Sequence, residues 1–233
     1  MKQKLLQLIR TGAAKEQSDL LPHVNDVPAE RPGAWTAKDQ LAHLMAWRQV
    51  AAAELDAVRT GGPGPDVSDD DDLENAKIYE ATHHQTAASL RDAGKRSWDQ
   101  LAAAVGACSE EDLAKPRTRQ PGQPVWQVVS NSSYSHLAEH LGSWAADHGD
   151  ETKAEEAAKW GHDQAVAAFP DAPGRGVAAY NLGCFYAKRG RAGEAIPLLR
   201  TGIELRPDLR EWARQDSDLD PIRTVPEVAA LLA

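Results

Sequence analysis

The chain has 233 residues, 42% of them hydrophobic, with 35 acidic against 26 basic side chains and a formal net charge of −9. Such a surface repels phosphate backbones, and no basic stripe with interleaved aromatics offsets it, so the expectation is no direct nucleic-acid binding. No apolar run approaches the ~18 residues a membrane span needs, and MKQKLLQLIR carries charge through its apolar positions, so neither a membrane partner nor a signal peptide is read and a cytoplasmic location is expected.

The size fits one large domain or two small ones, and the chain is read as two. Leu5, Leu6, Ile9, Ala13 and Leu20 recur at helical spacing, which predicts a first amphipathic helix over residues 2–21 that meets Pro22. Pro28, Pro32 and Gly33 mark 27–33 as a loop. Thr36 then reads as an N-cap with Asp39 as the acid of a capping box, so a second helix starts there and runs to about Arg59. Leu41, Leu44, Ala51, Leu55 and Val58 form its packing face, and His43, Trp47 and Val50 form a neighbouring stripe. The segment GGPGPDVSDDDD (61–72) cannot continue a helix; its aspartates lack EF-hand spacing and read as a solvated loop that also caps the next helix. Ile78, Ala81, Leu90, Trp98, Leu101 and Val105 resume the helical period over 73–105, with a break near His83 to Thr86. Residues 115–124, with Pro116, Pro121, Gly122 and Pro124, are irregular. A fourth helix from near Val125 to Asp147 carries Trp126, Val129, Ser133, His136, His140 and Trp144 at steps of three or four.

A polar stretch, DHGDETK (147–153), places a domain boundary near Gly149. Beyond it, Leu182, Gly183, Tyr186, Ala195, Leu199 and Pro207 fit the tetratricopeptide pattern, with Leu199 where the pattern has Phe and Ala179 where it has Trp. Gly183, Ala195 and Gly202 supply small residues where two helices would cross. Glu155 to Phe169 supplies a preceding helix and Pro207 to Leu232 a degenerate cap. Cys108 and Cys184 fall in separate halves with no CxxC spacing and read as free thiols of a reducing compartment.

The chemistry-bearing residues are His43 on one helix and His136 and His140 four apart on another, so three imidazoles can converge as in a divalent metal site with open positions. A hydrogen-bonded core residue is the plainer reading of any one of them. HLAEH also matches the inverted zinc-protease motif H-x-x-E-H, but Glu139 lies ~60° from His136 and ~100° from His140 around a helix, pointing away from a shared ion. His83 and His84 are adjacent and cannot both face one metal; they read as surface or mouth residues. Trp35, Trp47, Trp126 and Trp144 could stack a planar substrate; Trp35 and Trp144 are expected in the core, and Trp47, one turn after His43, in a pocket.

Trp35, Lys38, Asp39, His43, Leu44 and Trp47, in the pattern W-T-x-K-D-x-x-x-H-L-x-x-W, together with Asn75, Tyr79 and the Trp126 to Trp144 stretch, resemble the DinB superfamily and within it the ClbS/DfsB family. The resemblance covers about two thirds of the chain. It implies a DinB-like four-helix bundle over 1–149; with the small helical domain over 150–233 that the tetratricopeptide pattern suggests, an addition to the usual family architecture, the whole chain is expected to be all-α. It implies His43, His136 and His140 as ligands of a divalent metal, zinc first, with nickel, iron or manganese also fitting three nitrogens. A zinc ion there would lower the pKa of its water from about 15.7 towards ~7. Asp39, one turn before His43, is the expected acceptor orienting that imidazole. The implied activity is a metal-assisted hydrolase, or a transferase using a low-molecular-weight thiol, acting on an electrophilic small molecule in detoxification or self-resistance, including ring opening of a cyclopropane-bearing DNA-alkylating natural product. The alternative is a ligand-sequestering or protein-interaction module, in which the repeat-like domain mediates a protein partner or self-association.

Overall fold

The computed structural model describes residues 1–26, 34–68 and 70–233; the loop expected at 27–33 and Asp69 lie outside the described residues. Among the described residues the chain is all-α, with no strand and one isolated antiparallel bridge between Pro116 and Pro124. No helix among them is long and apolar enough to cross a membrane. The chain divides into two compact units, Met1–Ala154 and Glu155–Ala233.

The first unit is built on α1 (Lys2–Asp19), α2 (Ala37–Thr60), α3 (Asp71–Thr82) and α4 (Ala87–Ala107). The start of α2 is a reciprocal cap: Asp39 N–H donates to Thr36 Oγ1 at 3.1 Å, and Thr36 N–H donates to Asp39 Oδ2 at 3.0 Å. It stops at Gly61, whose φ of +71° is a left-handed conformation that a side chain would strain. Asp70 caps α3 by accepting from the Asp72 and Leu73 amides, and Asp71, Asp72 and Glu74 sit in the first turn against the positive helix end. The expected break falls at 83–86, where Lys38 Nζ donates to the carbonyl oxygens of His83 (2.6 Å) and Gln85 (3.3 Å) and ties the gap to α2.

The sequence reading passes over α5 (Glu110–Ala114), although its capping box of Ser109 and Asp112 is written in the residues as S-x-x-D. The irregular 115–124 segment closes on itself through Arg117 N–H to Gln123 O (2.9 Å) and Val125 N–H to Lys115 O (2.8 Å). The last bundle helix is not uniform as expected. It runs as α6 (Gln127–Ser130), a π-helical turn (Asn131–Ser135) and α7 (His136–Asp147) without a gap.

Of the packing face read on α2, Leu41, Leu44, Ala51 and Leu55 are buried and Val58 is half-buried; α2 packs on α4, where Leu90 and Leu101 are buried, and α4 packs in turn on α1, where Leu5 and Ile9 are buried. At its centre lies a charge that the apolar pattern does not announce. Arg48 has no exposed surface; its guanidinium meets Glu16 of α1 at 2.7 and 3.3 Å, its Nε donates to Ser97 Oγ at 2.9 Å, and its Cζ lies 4.1 Å over the Trp98 ring. Trp98 Nε1 donates to Glu16 Oε1 at 2.8 Å, so the carboxylate is shared by α2 and α4. Gly12 makes room for this arrangement: a Cβ there would stand 2.7 Å from Trp98 Cη2.

The first turn of α8 (Glu151–Ala168) belongs with this unit, since Ala154 is fully buried and its carbonyl oxygen lies 3.5 Å from where a Cβ on Gly142 would stand. The sequence boundary near Gly149 falls in the turn between α7 and α8, where that glycine has φ +75°.

In the second unit α9 (Ala172–Lys188) and α10 (Ala192–Leu205) pack closely. A Cβ on Gly183 would meet Leu199 at 2.9 Å and one on Gly202 would meet Tyr180 at 3.0 Å, so these glycines set the approach of the pair. The core of Tyr186, Ala195, Leu199 and Ile203 is closed by Ala213 of α11 (Leu209–Gln215), Leu219 and Ile222 of a 3-10 turn, and Val228 and Leu232 of α12 (Pro226–Leu232).

Removing Glu16 leaves a buried guanidinium without its partner, so Glu16→Ala is expected to destabilise the protein by about 3–5 kcal/mol, while Glu16→Leu combined with Arg48→Met costs much less. Urea melts of the two variants check this; a double variant as unstable as Glu16→Ala would contradict it.

Candidate metal centre

His43 on α2 and His136 and His140 on α7 bring their Nε2 atoms together: His136 Nε2 is 2.9 Å from His43 Nε2 and 2.9 Å from His140 Nε2. The ring centroids are 4.4 to 4.8 Å apart. The i,i+4 spacing on α7 places two of the rings on one face, edge to face, and α2 packs against α7.

Protons alone serve this cluster poorly. A neutral imidazole Nε2 carries either one proton or one in-plane lone pair, so His136 Nε2 can join one linear hydrogen bond but has two nitrogen neighbours. The side-chain oxygen of Gln40 faces His140 Nδ1, which puts that ring's proton on Nδ1 and leaves the Nε2 lone pair pointing into the cluster. His43 Nδ1 is buried with no hydrogen-bond partner. A central cation would be met by three lone pairs, so the donor set fits a divalent metal.

Electrostatics keep the rings neutral. Burial pushes the His43 imidazole down to about 4. Burial, then the charges of His43 and Arg48, lower His136 to about 3, and burial, then His136 and His43, lower His140 to about 2. Neutral imidazole is the form that ligates metals.

The cluster lies in the wall of a cavity of about 610 Å³. Trp47 lines it, held by Nε1–H donation to Asn75 Oδ1 at 3.0 Å. Trp35, expected in the core, is half-buried and also lines the cavity: it precedes the α2 cap, at the level of the imidazoles, and stacks on His140 at 6.1 Å. Tyr79 and His83 continue that stack outward at 6.4 and 5.2 Å. Trp144 is buried, with His23 at 4.4 Å and His148 at 4.8 Å. Trp126 does not line the cavity, His83 and His84 are exposed outside it, and Glu139 is exposed at its rim, outside the imidazole cluster.

The role expected for Asp39 needs correction. Its carboxylate accepts Thr36 N–H and Thr36 Oγ1–H (2.6 Å) in the helix cap, so it is engaged away from His43, whose Nδ1 has no acceptor. The polar residue that orients an imidazole is Gln40, which the sequence reading misses. Its signal is a polar side chain three residues before His43 on an inward face, where burial demands a partner. Glu54, Arg117 and Arg119 line the same cavity and are missed too.

Cys184, Asp216 and Asp218 form a second cluster of possible ligands, in the second unit. Its groups are satisfied by protein donors: Tyr180 OH and the Cys184 thiol donate to Asp216, and Asp218 pairs with Lys188 at 3.2 Å. Burial and Asp216 push the Cys184 thiol well above its usual range, away from the thiolate that binds metal.

Because the three imidazoles have folded pKa values below their ordinary 6.5, the unfolded chain binds protons that the folded chain does not. Their contribution to stability is full above pH ~6.5 and falls as pH drops towards 4, by up to about 1.4 kcal/mol per pH unit per group. Chelator-treated protein melted at pH 7.5 and pH 5 should show this loss, and His140→Phe should show less of it. A flat profile over that window would contradict buried neutral imidazoles.

A family model for the DinB superfamily matches residues 14–151. No match was found among curated proteins or among solved structures. The matched span holds the imidazole cluster and the helices α2 and α7 that carry it, and the chain belongs to the DinB superfamily.

Proposed function

We propose that His43, His136 and His140 hold a divalent metal and that the protein is a metal-dependent hydrolase or thiol transferase of the ClbS/DfsB type, opening a strained or electrophilic ring in a reactive small molecule. The observation that carries this reading is the pair of 2.9 Å nitrogen contacts on the half-buried His136 imidazole, in the wall of a cavity of about 610 Å³. A residue serving only the core would not be left with a contact that no proton can satisfy well.

A divalent ion supplies Lewis acidity, which polarises an electrophile or acidifies a water or thiol. The chain's own residues do the rest. Gln40 fixes the His140 tautomer with its lone pair inward. The π-helical turn brings Asn131, Ser132 and Ser135 to the cavity wall beside His136, where they can donate to a polar substrate group. Trp35 and Trp47 flank the imidazoles, exclude water from that side and offer faces to a planar substrate. Zinc is the first choice of ion, with nickel, iron and manganese suiting the same donors. A low-molecular-weight thiol is the co-substrate if the transferase branch applies. The helix pair α9–α10 with its small-residue crossing supports a tetratricopeptide-like role for the second unit in binding a protein partner.

The test is metal titration, with a melting curve, of wild type, His140→Ala and His84→Ala. His140→Ala should lose more than the 10- to 100-fold in affinity typical of outer-shell changes, with little loss of stability, and His84→Ala should match wild type. If the parent binds no metal, or His140→Ala binds it equally, the imidazoles are core residues and the cavity is a ligand-sequestering site.

A further inference from the structure

The cations of the cavity wall are engaged within the protein. Arg117 pairs with Glu54 at 3.5 Å and gives its Nη1 to Gln120 Oε1 (2.7 Å) and Gln123 Oε1 (3.2 Å), and Arg119 Nη2 donates to Ser68 O at 2.5 Å. Glu54 is answered in turn by Thr118 N–H at 2.8 Å and Thr118 Oγ1–H at 3.1 Å. The other acids of the lining, Asp71 and Glu139, are exposed. With two guanidinium groups against three carboxylates among the described residues, the wall holds no surplus of positive charge for an anionic ligand.

Neutral donors are left over instead. An indole N–H can only donate, so the 3.0 Å contact from Trp47 Nε1 fixes the Asn75 amide, with Oδ1 on the indole and the NH2 turned away from it. Asn75 lines the cavity, and among the described residues nothing accepts from that NH2. Gln120 is fixed by the same rule: a guanidinium can only donate, so Oε1 faces Arg117 and the NH2 is left over. Ser132 of the π-helical turn also lines the cavity, 8% exposed, and its hydroxyl has no partner among the described residues. Donors without acceptors, in a wall without surplus positive charge, suit an uncharged oxygen.

We propose that Asn75 is a specificity-determining residue, and that the cavity takes an uncharged planar molecule whose carbonyl oxygen accepts from the Asn75 NH2 while its flat body lies on Trp47. Trp47 stands 6.3 Å from His43, ring centre to ring centre, so a molecule held at Asn75 and Trp47 is directed along α2 towards the imidazoles. That this molecule is the substrate rests on the metal-dependent reading above; the carbonyl contact does not. A carboxylate in the same place would lose its hydration and meet no unpaired cation, which makes the wall selective for ketone, amide or ester oxygens over acids.

The experiment titrates the full chain, treated with chelator, with 2-acetylnaphthalene, with 2-ethylnaphthalene, which lacks the carbonyl oxygen, and with anionic 2-naphthoate. The ketone is expected to bind about three- to tenfold more tightly than the hydrocarbon, as one net hydrogen bond gives, and more tightly than naphthoate. Asn75→Asp keeps an acceptor for the Trp47 indole but has no donor, so it should remove the ketone's advantage and leave ethylnaphthalene binding unchanged. Equal affinities for ketone and hydrocarbon in wild type, naphthoate binding as tightly as the ketone, no binding of the ketone, or an advantage untouched in Asn75→Asp would overturn the subsite. Should Asn75→Asp fail to fold, the wild-type comparison and the same titrations of Asn75→Leu decide the matter. Zinc titration of the same preparation separates the two claims: carbonyl preference without zinc uptake leaves the subsite standing and sinks the metal, and zinc uptake without the preference does the reverse.

Discussion

A guanidinium without exposed surface sets the geometry of the bundle. Arg48 must have its charge answered inside the protein, and Glu16 answers it from α1, with Ser97 and Trp98 of α4 completing the shell. An apolar seam can slide or rotate at modest cost, whereas a bidentate ion pair shared by three helices cannot. Arg48 stands about 140° around α2 from His43, so fixing it against α1 and α4 turns the opposite stripe towards α7 and the 115–124 segment. After burial and the neighbouring His43, the same buried charge adds to the lowering of the His136 proton affinity, favouring the neutral ring that a metal needs. Structure and chemistry meet in one residue that touches no part of the cavity.

The site departs from core economy in consistent ways. Three imidazoles converge with more nitrogen contacts than protons can serve, and His43 keeps a buried nitrogen without a partner. Each arrangement costs stability in isolation, and each is concentrated on one wall of one cavity. The surrounding frame is conventional, with capping boxes on α2 and α5, an aspartate cap on α3 and leucines across the helix interfaces.

The elements that the sequence makes legible are those governed by local rules. Thr36 and Asp39 announce the start of α2, the break before Thr86 separates α3 from α4, and the spacing of His136 and His140 brings two rings together edge to face. Long-range polar pairing is not legible in the same way. Arg48 and Glu16 are 32 residues apart and read as ordinary surface charges until the helices are assembled, and Gln40 meets His140 across 100 residues. Asp39 shows the opposite failure: its local role in the cap, correctly expected, uses the carboxylate that a second role would need. The π-helical turn interrupts a periodic pattern without a glycine or proline to mark it, so the helix reads as continuous although five of its residues are wound differently.

X-ray absorption spectroscopy at the zinc edge, on protein loaded with one equivalent of zinc, tests the central claim most directly. Three imidazoles on the ion predict a first shell of nitrogen and oxygen at ~2.0–2.1 Å with the outer-shell scattering of three histidine rings. Scattering from no more than one ring, or a first shell fitted by carboxylate oxygens alone, would contradict the account and return His43, His136 and His140 to the core.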